Sequence, residues 1–429
     1  MEKRNYPQLG EEFFVHTLEN GLQIAVLPRP GFQRKVAYFA TNFGSIDTRF
    51  ALDGEKLRVP DGIAHFLEHK MFDMPDGRDV SAEFAAMGAY PNAFTSFFMT
   101  AYYFNCTEHF EACLKLLLEF VSTPYFTRES VDKELGIIGQ EIGIYRDSPD
   151  SRVFQNLMEL SYDNHPIRVP ILGTEETIAK ITPEVLYKCH KAFYNPGNML
   201  LCVMGDVDPE TVCAIAEKQL GDIPVPMVER SRVWQEDIKR TQKEKREKME
   251  VAMPMFQLGF KCEPAADGWE MARQEIIGDL AAEALFGESS ALYLRMYGEG
   301  LIDSSFGGGI DCMDGMAQLV CGGDSDHPEK VRDAILQEAK VLSETGITEE
   351  DFLRMKRSAM GRRIRGLDRF DSTCFRICAY HFTGVDYFRF PELYDDITRE
   401  EIREFIGKVV TEDRMCLSVI EPETEEENL

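Results

Sequence analysis

The chain repeats itself, and the repeat limits what it can fold into more than any other feature. Ile181-Thr182-Pro183-Glu184, leading to the apolar run Met199-Leu200-Leu201-Cys202-Val203, returns as Ile397-Thr398-Arg399-Glu400, leading to Met415-Cys416-Leu417-Ser418-Val419. Both steps span 216 residues. Thr127 and Thr348 each precede a helical pattern, and Met71-Phe72 matches Leu285-Phe286 at nearly the same spacing. A duplicated unit of about 200 residues accounts for this. It also suits a length of 429 residues, which is too much for one ordinary core. The expected division is 1–230, a charged linker over 231–250 around Trp234, and 251–429.

Within the first copy the pattern starts as strands and turns helical. Apolar residues from Phe13 to Leu18, an Asn20-Gly21 turn and Leu22 to Leu27 predict a hairpin. Lys35 to Asn42 predicts a further strand, and Tyr90 to Asn105, rich in aromatics and Thr, a second hairpin. A 3.6-residue period predicts helices over His65–Phe72, Ser81–Gly88, Glu108–Val121 and Arg128–Tyr145, the last capped by Thr127. The expected class is α+β: two homologous domains, each a mainly antiparallel sheet packed with helices.

The first of these helices carries chemistry. In His65-Phe66-Leu67-Glu68-His69, positions i, i+3 and i+4 share one helix face, so two imidazoles and a carboxylate converge. Neutral imidazoles suit zinc, and a third protein ligand would leave the fourth position for water. Glu68 stands where a base would take a proton from that water. The order His-x-x-Glu-His is the inverzincin signature. At an offset of 214 the second copy reads Asp279 and Glu283 for the histidines and Ala282 for Glu68, so one Zn2+ per chain is expected. Glu134 and Glu141, two helical turns apart on one face, are the candidates for the third ligand, and spacing does not choose between them.

Composition removes several other classes. A formal charge of −27 repels phosphate backbones, which excludes nucleic acid as partner and makes cationic peptides the first substrates to consider. No run of eighteen apolar residues is present, so no membrane span is expected. The segment MEKRNYPQLGEEFF lacks the apolar stretch of a secretory signal, and eleven scattered Cys fit reduced thiols, so the expected location is cytoplasmic. Cys374 and Cys378 read as helix residues, and the acidic tail Glu421–Glu427 as a disordered end.

Several motifs together resemble the insulinase/pitrilysin family of zinc peptidases, the inverzincins, which includes the mitochondrial processing peptidase. They are the HFLEH helix, Asn92-Ala93-Phe94-Thr95-Ser96 followed by Tyr102-Tyr103-Phe104, and the Glu134 and Glu141 pair. Asn164-His165-Pro166 leading to Gly173-Thr174, and Asn195-Pro196-Gly197-Asn198-Met199, also fit. Pro60-Asp61-Gly62-Ile63-Ala64 running into the helix is nearest the bacterial YmfH-like branch. The resemblance implies a metallopeptidase fold of the LuxS/processing-peptidase kind. It implies His65, His69 and Glu141 as metal ligands, Glu68 as general base and Glu134 as an assisting carboxylate. It also implies capture of an extended peptide at a sheet edge by Asn92, Ala93 and Phe94, with Phe97 nearby. In one place the chain departs from the family. Many active members carry an Arg and a Tyr in the second copy, and aligned on Gly300-Leu301 those positions hold Met296 and Asp303, with Arg295 and Tyr297 out of register.

The function expected from all this is a zinc-dependent endopeptidase for short or unfolded peptides, as a homodimer or as a heterodimer with a paralogous subunit. The alternative is a non-catalytic peptide-binding or assembly subunit of a processing-peptidase-like complex. Such a chain should have lost one of His65, Glu68, His69 or Glu141, and all four are present. A zinc lyase or a hydrolase of small molecules would use the same ligands.

Overall fold

The computed structural model describes residues 1–423, so most of the acidic tail lies outside the described residues. The described chain divides into two compact units. Met1–Ile142, Pro170–Arg232 and Ile364–Phe388 form one; Gly143–Val169, Val233–Arg363 and Arg389 onward form the other.

The first unit is built on seven strands: β1 (Glu2–Tyr6), β2 (Glu11–Thr17), β3 (Gln23–Pro28), β4 (Lys35–Thr41), β5 (Tyr90–Thr95), β6 (Thr100–Cys106) and β7 (Met199–Gly205). Their order is β1-β2-β3-β7-β4-β6-β5, antiparallel except for the β3–β7 pair. Strands β4 and β7 are buried along almost their whole length, because both faces of the sheet are covered. Ala37, Phe39, Tyr102, Phe104, Leu201 and Val203 face a core filled by Phe66, Leu67, Phe84, Leu117, Phe120 and Phe193. Alternation along the strands sends Tyr38 and Tyr103 to the opposite side, where their rings stack at 4.4 Å. There the Phe370–Phe382 helix, with Cys374 and Cys378 buried, covers the sheet.

The second unit repeats the plan. Strands β8 (Glu244–Met249), β9 (Met255–Lys261), β10 (Gly307–Met313), β11 (Met316–Asp324) and β12 (Met415–Pro422) run in the order β8-β12-β9-β11-β10. Their single parallel pair, β8–β12, corresponds to β3–β7 of the first unit. The fold is the α+β arrangement of two homologous sheet-and-helix domains that the repeat predicts. Each unit also takes one helix from the other half of the chain. Pro149–Ser161 packs on β9 and β12, and its counterpart Phe370–Phe382 packs on β4 and β7.

The segment expected as a solvated linker is held at many points. Arg232 makes two bonds, 2.9 and 2.7 Å, to the buried Asp47 carboxylate in the first unit. In the second unit Trp234 meets the His165 ring at 4.2 Å, and Glu236 accepts the backbone N–H groups of Asp163, Asn164 and His165. Glu244–Met249 then forms a strand.

Candidate active site

The His65 helix spans Ile63–Lys70 and opens at Gly62, whose φ of 89° is left-handed. A Cβ there would stand 2.4 Å from the Leu172 carbonyl oxygen, so only glycine lets the chain turn into the helix at this close approach. Phe66 and Leu67 are fully buried and anchor the helix in the core. The opposite, chemical face carries His65, Glu68 and His69. The helix supplying the acids, Arg128–Arg146, starts where Thr127 Oγ1 accepts the Ser130 N–H at 3.1 Å, the cap expected from sequence.

Side-chain directions separate the two glutamates. Glu141 Oε1 lies 3.7 Å from His65 Nε2, and Glu141 Oε2 lies 3.6 Å from His69 Nε2. Ligand atoms around a tetrahedral zinc, with bonds of about 2.0–2.2 Å, stand about 3.4 Å apart. Among the described residues this trio is the one group of three or more His, Cys, Asp or Glu placed to hold a metal ion. Glu134 instead reaches the other side of His69, with Oε1 3.0 Å from Nδ1, and its Oε2 is 3.5 Å from the buried Lys70 ammonium. A carboxylate on Nδ1 fixes the tautomer that leaves the Nε2 lone pair free for a metal.

His65 supplies an independent test of fit. The residue is 7% exposed, and its Nε2, the nitrogen turned toward His69 and Glu141, has no hydrogen-bond partner among the described residues, Glu141 Oε1 standing out of range at 3.7 Å. An imidazole buried in this way is costly unless something binds its nitrogen. The donor set of two imidazoles and one carboxylate is the composition zinc takes in catalytic sites, so the residues present fit the ion.

The electrostatics keep these groups distinct. Burial, with His69 beside it, pushes His65 down to about 3, so this imidazole is neutral across the physiological range. Burial acts the same way on His69, but the Glu134 hydrogen bond and the carboxylates of Glu68, Glu134 and Glu141 outweigh it and raise its pKa. Burial raises Glu68, against a bond from Thr95 and with help from Glu141. Glu134 is lowered despite its burial, because His69 and Lys70 stabilise its charge.

Among the described residues Glu68 has one hydrogen-bonding anchor. The Thr95 hydroxyl donates to Glu68 Oε2 at 2.7 Å, a partner that sequence reasoning did not single out. Thr95 ends β5, the outermost strand of the sheet, which carries Asn92, Ala93 and Phe94. Asn92 Oδ1 accepts the Ala93 N–H at 2.8 Å. Phe94 lies against Tyr103 and Phe375, with centroids 6.3 and 5.6 Å away. Met296 is fully buried, and Asp303 Oδ1 is occupied by the Ser305 N–H and hydroxyl. Arg295 pairs with Glu338 at 3.4 Å, and Tyr297 is half exposed.

This geometry agrees with what the chain is similar to. Residues 58–175 match the family model described as Insulinase (Peptidase family M16), and residues 180–359 match the Peptidase M16 inactive domain. An uncharacterized zinc protease of Bacillus subtilis, YmfH, is 37% identical over 98% of this chain and 99% of its own. A probable β subunit of the mitochondrial processing peptidase from Schizosaccharomyces pombe is 29% identical over 48% of this chain and 44% of its own. A crystal structure of an M16-like peptidase from Alicyclobacillus acidocaldarius superposes with a TM-score of 0.92. It is 33% identical and covers 98% of this chain and all of that one. A Helicobacter pylori protease, 18% identical with a TM-score of 0.82 over 96% of this chain and all of that one, shares the fold. The chain therefore belongs to the insulinase family of zinc peptidases, and His65, Glu68, His69, Glu134 and Glu141 all lie in the stretch that matches the family's own model.

Proposed function

We propose that the chain is a zinc-dependent endopeptidase acting on short or unfolded peptides, with His65, His69 and Glu141 as ligands and Glu68 as general base. The observation that carries this is the convergence of His65 Nε2, His69 Nε2 and both Glu141 oxygens beside a carboxylate with one oxygen held and the other free. Bound there, zinc would supply Lewis acidity toward the scissile carbonyl and bring the pKa of water to about 7. Glu68 Oε1 takes the proton of the attacking water and later passes it to the leaving amine. Glu134 holds His69 by its Nδ1–H and keeps Nε2 turned toward the ligand position. The free edge of β5 at Asn92, Ala93 and Phe94 offers backbone groups to an extended peptide, which gives affinity with little demand on sequence.

The partner is a second subunit, either another copy or a paralogue. The support is the position of Met296 and Asp303, one buried and the other tied to its own turn, where active relatives place an Arg and a Tyr. The eleven cysteines are all free thiols, which favours a reducing, cytoplasmic setting; no helix among the described residues is long and apolar enough to cross a membrane. A non-catalytic role is disfavoured because such a chain should have lost one of His65, Glu68, His69 or Glu141, and all four are present.

The test is Glu68→Gln. The variant keeps its zinc, because the ligands are intact, and loses peptide cleavage by about 10²–10⁴-fold. Turnover at the wild-type rate with a full metal complement removes Glu68 from this role.

A further inference from the structure

Resting on the peptidase reading, we infer that Thr95 is a positioning residue for the base: its hydroxyl holds Glu68 from the same strand whose edge receives the peptide. Glu68 is 8% exposed, and the Thr95 bond is the one hydrogen bond its side chain makes among the described residues. A carboxylate with so few partners is free to turn about its terminal torsion, which has broad wells. Fixing Oε2 fixes Oε1, the oxygen left for the proton.

Thr95 is itself held. The Thr100 hydroxyl gives its one hydrogen to the Phe43 carbonyl at 2.9 Å and only touches Thr95 Oγ1 at 3.4 Å, so it is the backbone pairing of β5 with β6 that holds Thr95. Thr95 and Thr100 face each other across the β5–β6 pair, where Thr100 is fully buried. The orientation of Glu68 is thus referred through Thr95 to the sheet and not to its own short helix. Thr95 also lies one residue from Phe94 on β5, so a peptide laid on that edge and the base that activates the attacking water share one rigid reference. A base misplaced by about 1 Å can cost about 10²-fold in rate, and this linkage guards against such an error.

The experiment compares Thr95→Val and Thr95→Ser with wild type in steady-state cleavage of a fluorogenic peptide by the zinc-loaded full chain. Valine keeps the β-branched shape and removes only the donor; serine keeps the donor. For Thr95→Val the expected result is a kcat about 10–100-fold lower, with KM and zinc content unchanged, and for Thr95→Ser a kcat within about threefold of wild type. An unchanged kcat in Thr95→Val overturns the inference, as does a rise in KM alone, which would assign Thr95 to substrate binding. A loss shared equally by serine and valine also overturns it, because shape and not the hydroxyl would then matter. A wild-type chain that binds zinc but cleaves no peptide, alone or with its partner, sinks the peptidase reading instead, so the two failures are distinguishable.

Discussion

Replacing Glu134 tests the metal site in a graded way. Its Oε1 accepts His69 Nδ1–H at 3.0 Å, a charge-assisted bond to a proposed metal ligand. Bonds to charged groups contribute about 1.5–3 kcal/mol and neutral ones about 0.5–1.5 kcal/mol. Glu134→Gln keeps an acceptor oxygen and loses only the charge, so it should cost about 1–1.5 kcal/mol, or five- to twelvefold in zinc affinity. Glu134→Ala removes the bond entirely and should cost about 10–100-fold. Glu141→Gln removes one oxygen and the charge of the proposed carboxylate ligand and should exceed both. The assay is competition against a chelator of known zinc affinity at one fixed pH, with melting curves on the metal-free chains to show that each is folded. The order Glu141→Gln worse than Glu134→Ala worse than Glu134→Gln is the prediction. Equal losses for Glu134→Ala and Glu141→Gln, or no loss for Glu134→Ala, would refute the assignment of one carboxylate to the metal and the other to His69.

Two further outcomes follow from the charges. His69 is raised by its carboxylate neighbours while His65 is held near 3, so below the ordinary imidazole pKa of about 6.5 His69 carries a proton that zinc must displace and His65 does not. Zinc affinity should therefore fall as pH falls, by about tenfold per unit, and a hundredfold fall per unit would show that both imidazoles titrate. In the linker, Arg232→Met leaves the Asp47 carboxylate, which is 1% exposed, without its two-pronged partner. The first unit should lose about 3–5 kcal/mol in denaturant unfolding, and a change below about 1 kcal/mol would contradict the role given to that pair.

Local patterns were legible in the sequence, while pairings and partners were not. The Asn20-Gly21 turn fixed the β2–β3 hairpin because two strands joined by so short a loop have one way to pair. The parallel pairing of β3 with β7 joins Gln23–Pro28 to Met199–Gly205, and nothing local in either strand names the other. Glu244–Met249 carries the signature of a linker in sequence, because an edge strand of alternating charges gives no apolar signal. Glu2–Tyr6 escaped for the same reason. The pattern of Pro149–Ser161 shows an apolar face but not the sheet that it covers. At the site, helical spacing placed His65, Glu68 and His69 together, and put Glu134 and Glu141 on one face. The roles of the two glutamates depend on side-chain directions set by His69, Lys70 and the packing of two helices, which spacing does not encode. Thr95 had no signal of its own, since its role depends on where β5 meets the His65 helix.

The most direct test is diffraction at the zinc absorption edge from crystals of the chain loaded with one equivalent of zinc. A single anomalous peak about 2.0–2.2 Å from His65 Nε2, His69 Nε2 and a Glu141 oxygen is the result expected. A peak elsewhere, or none between these three side chains, contradicts the account.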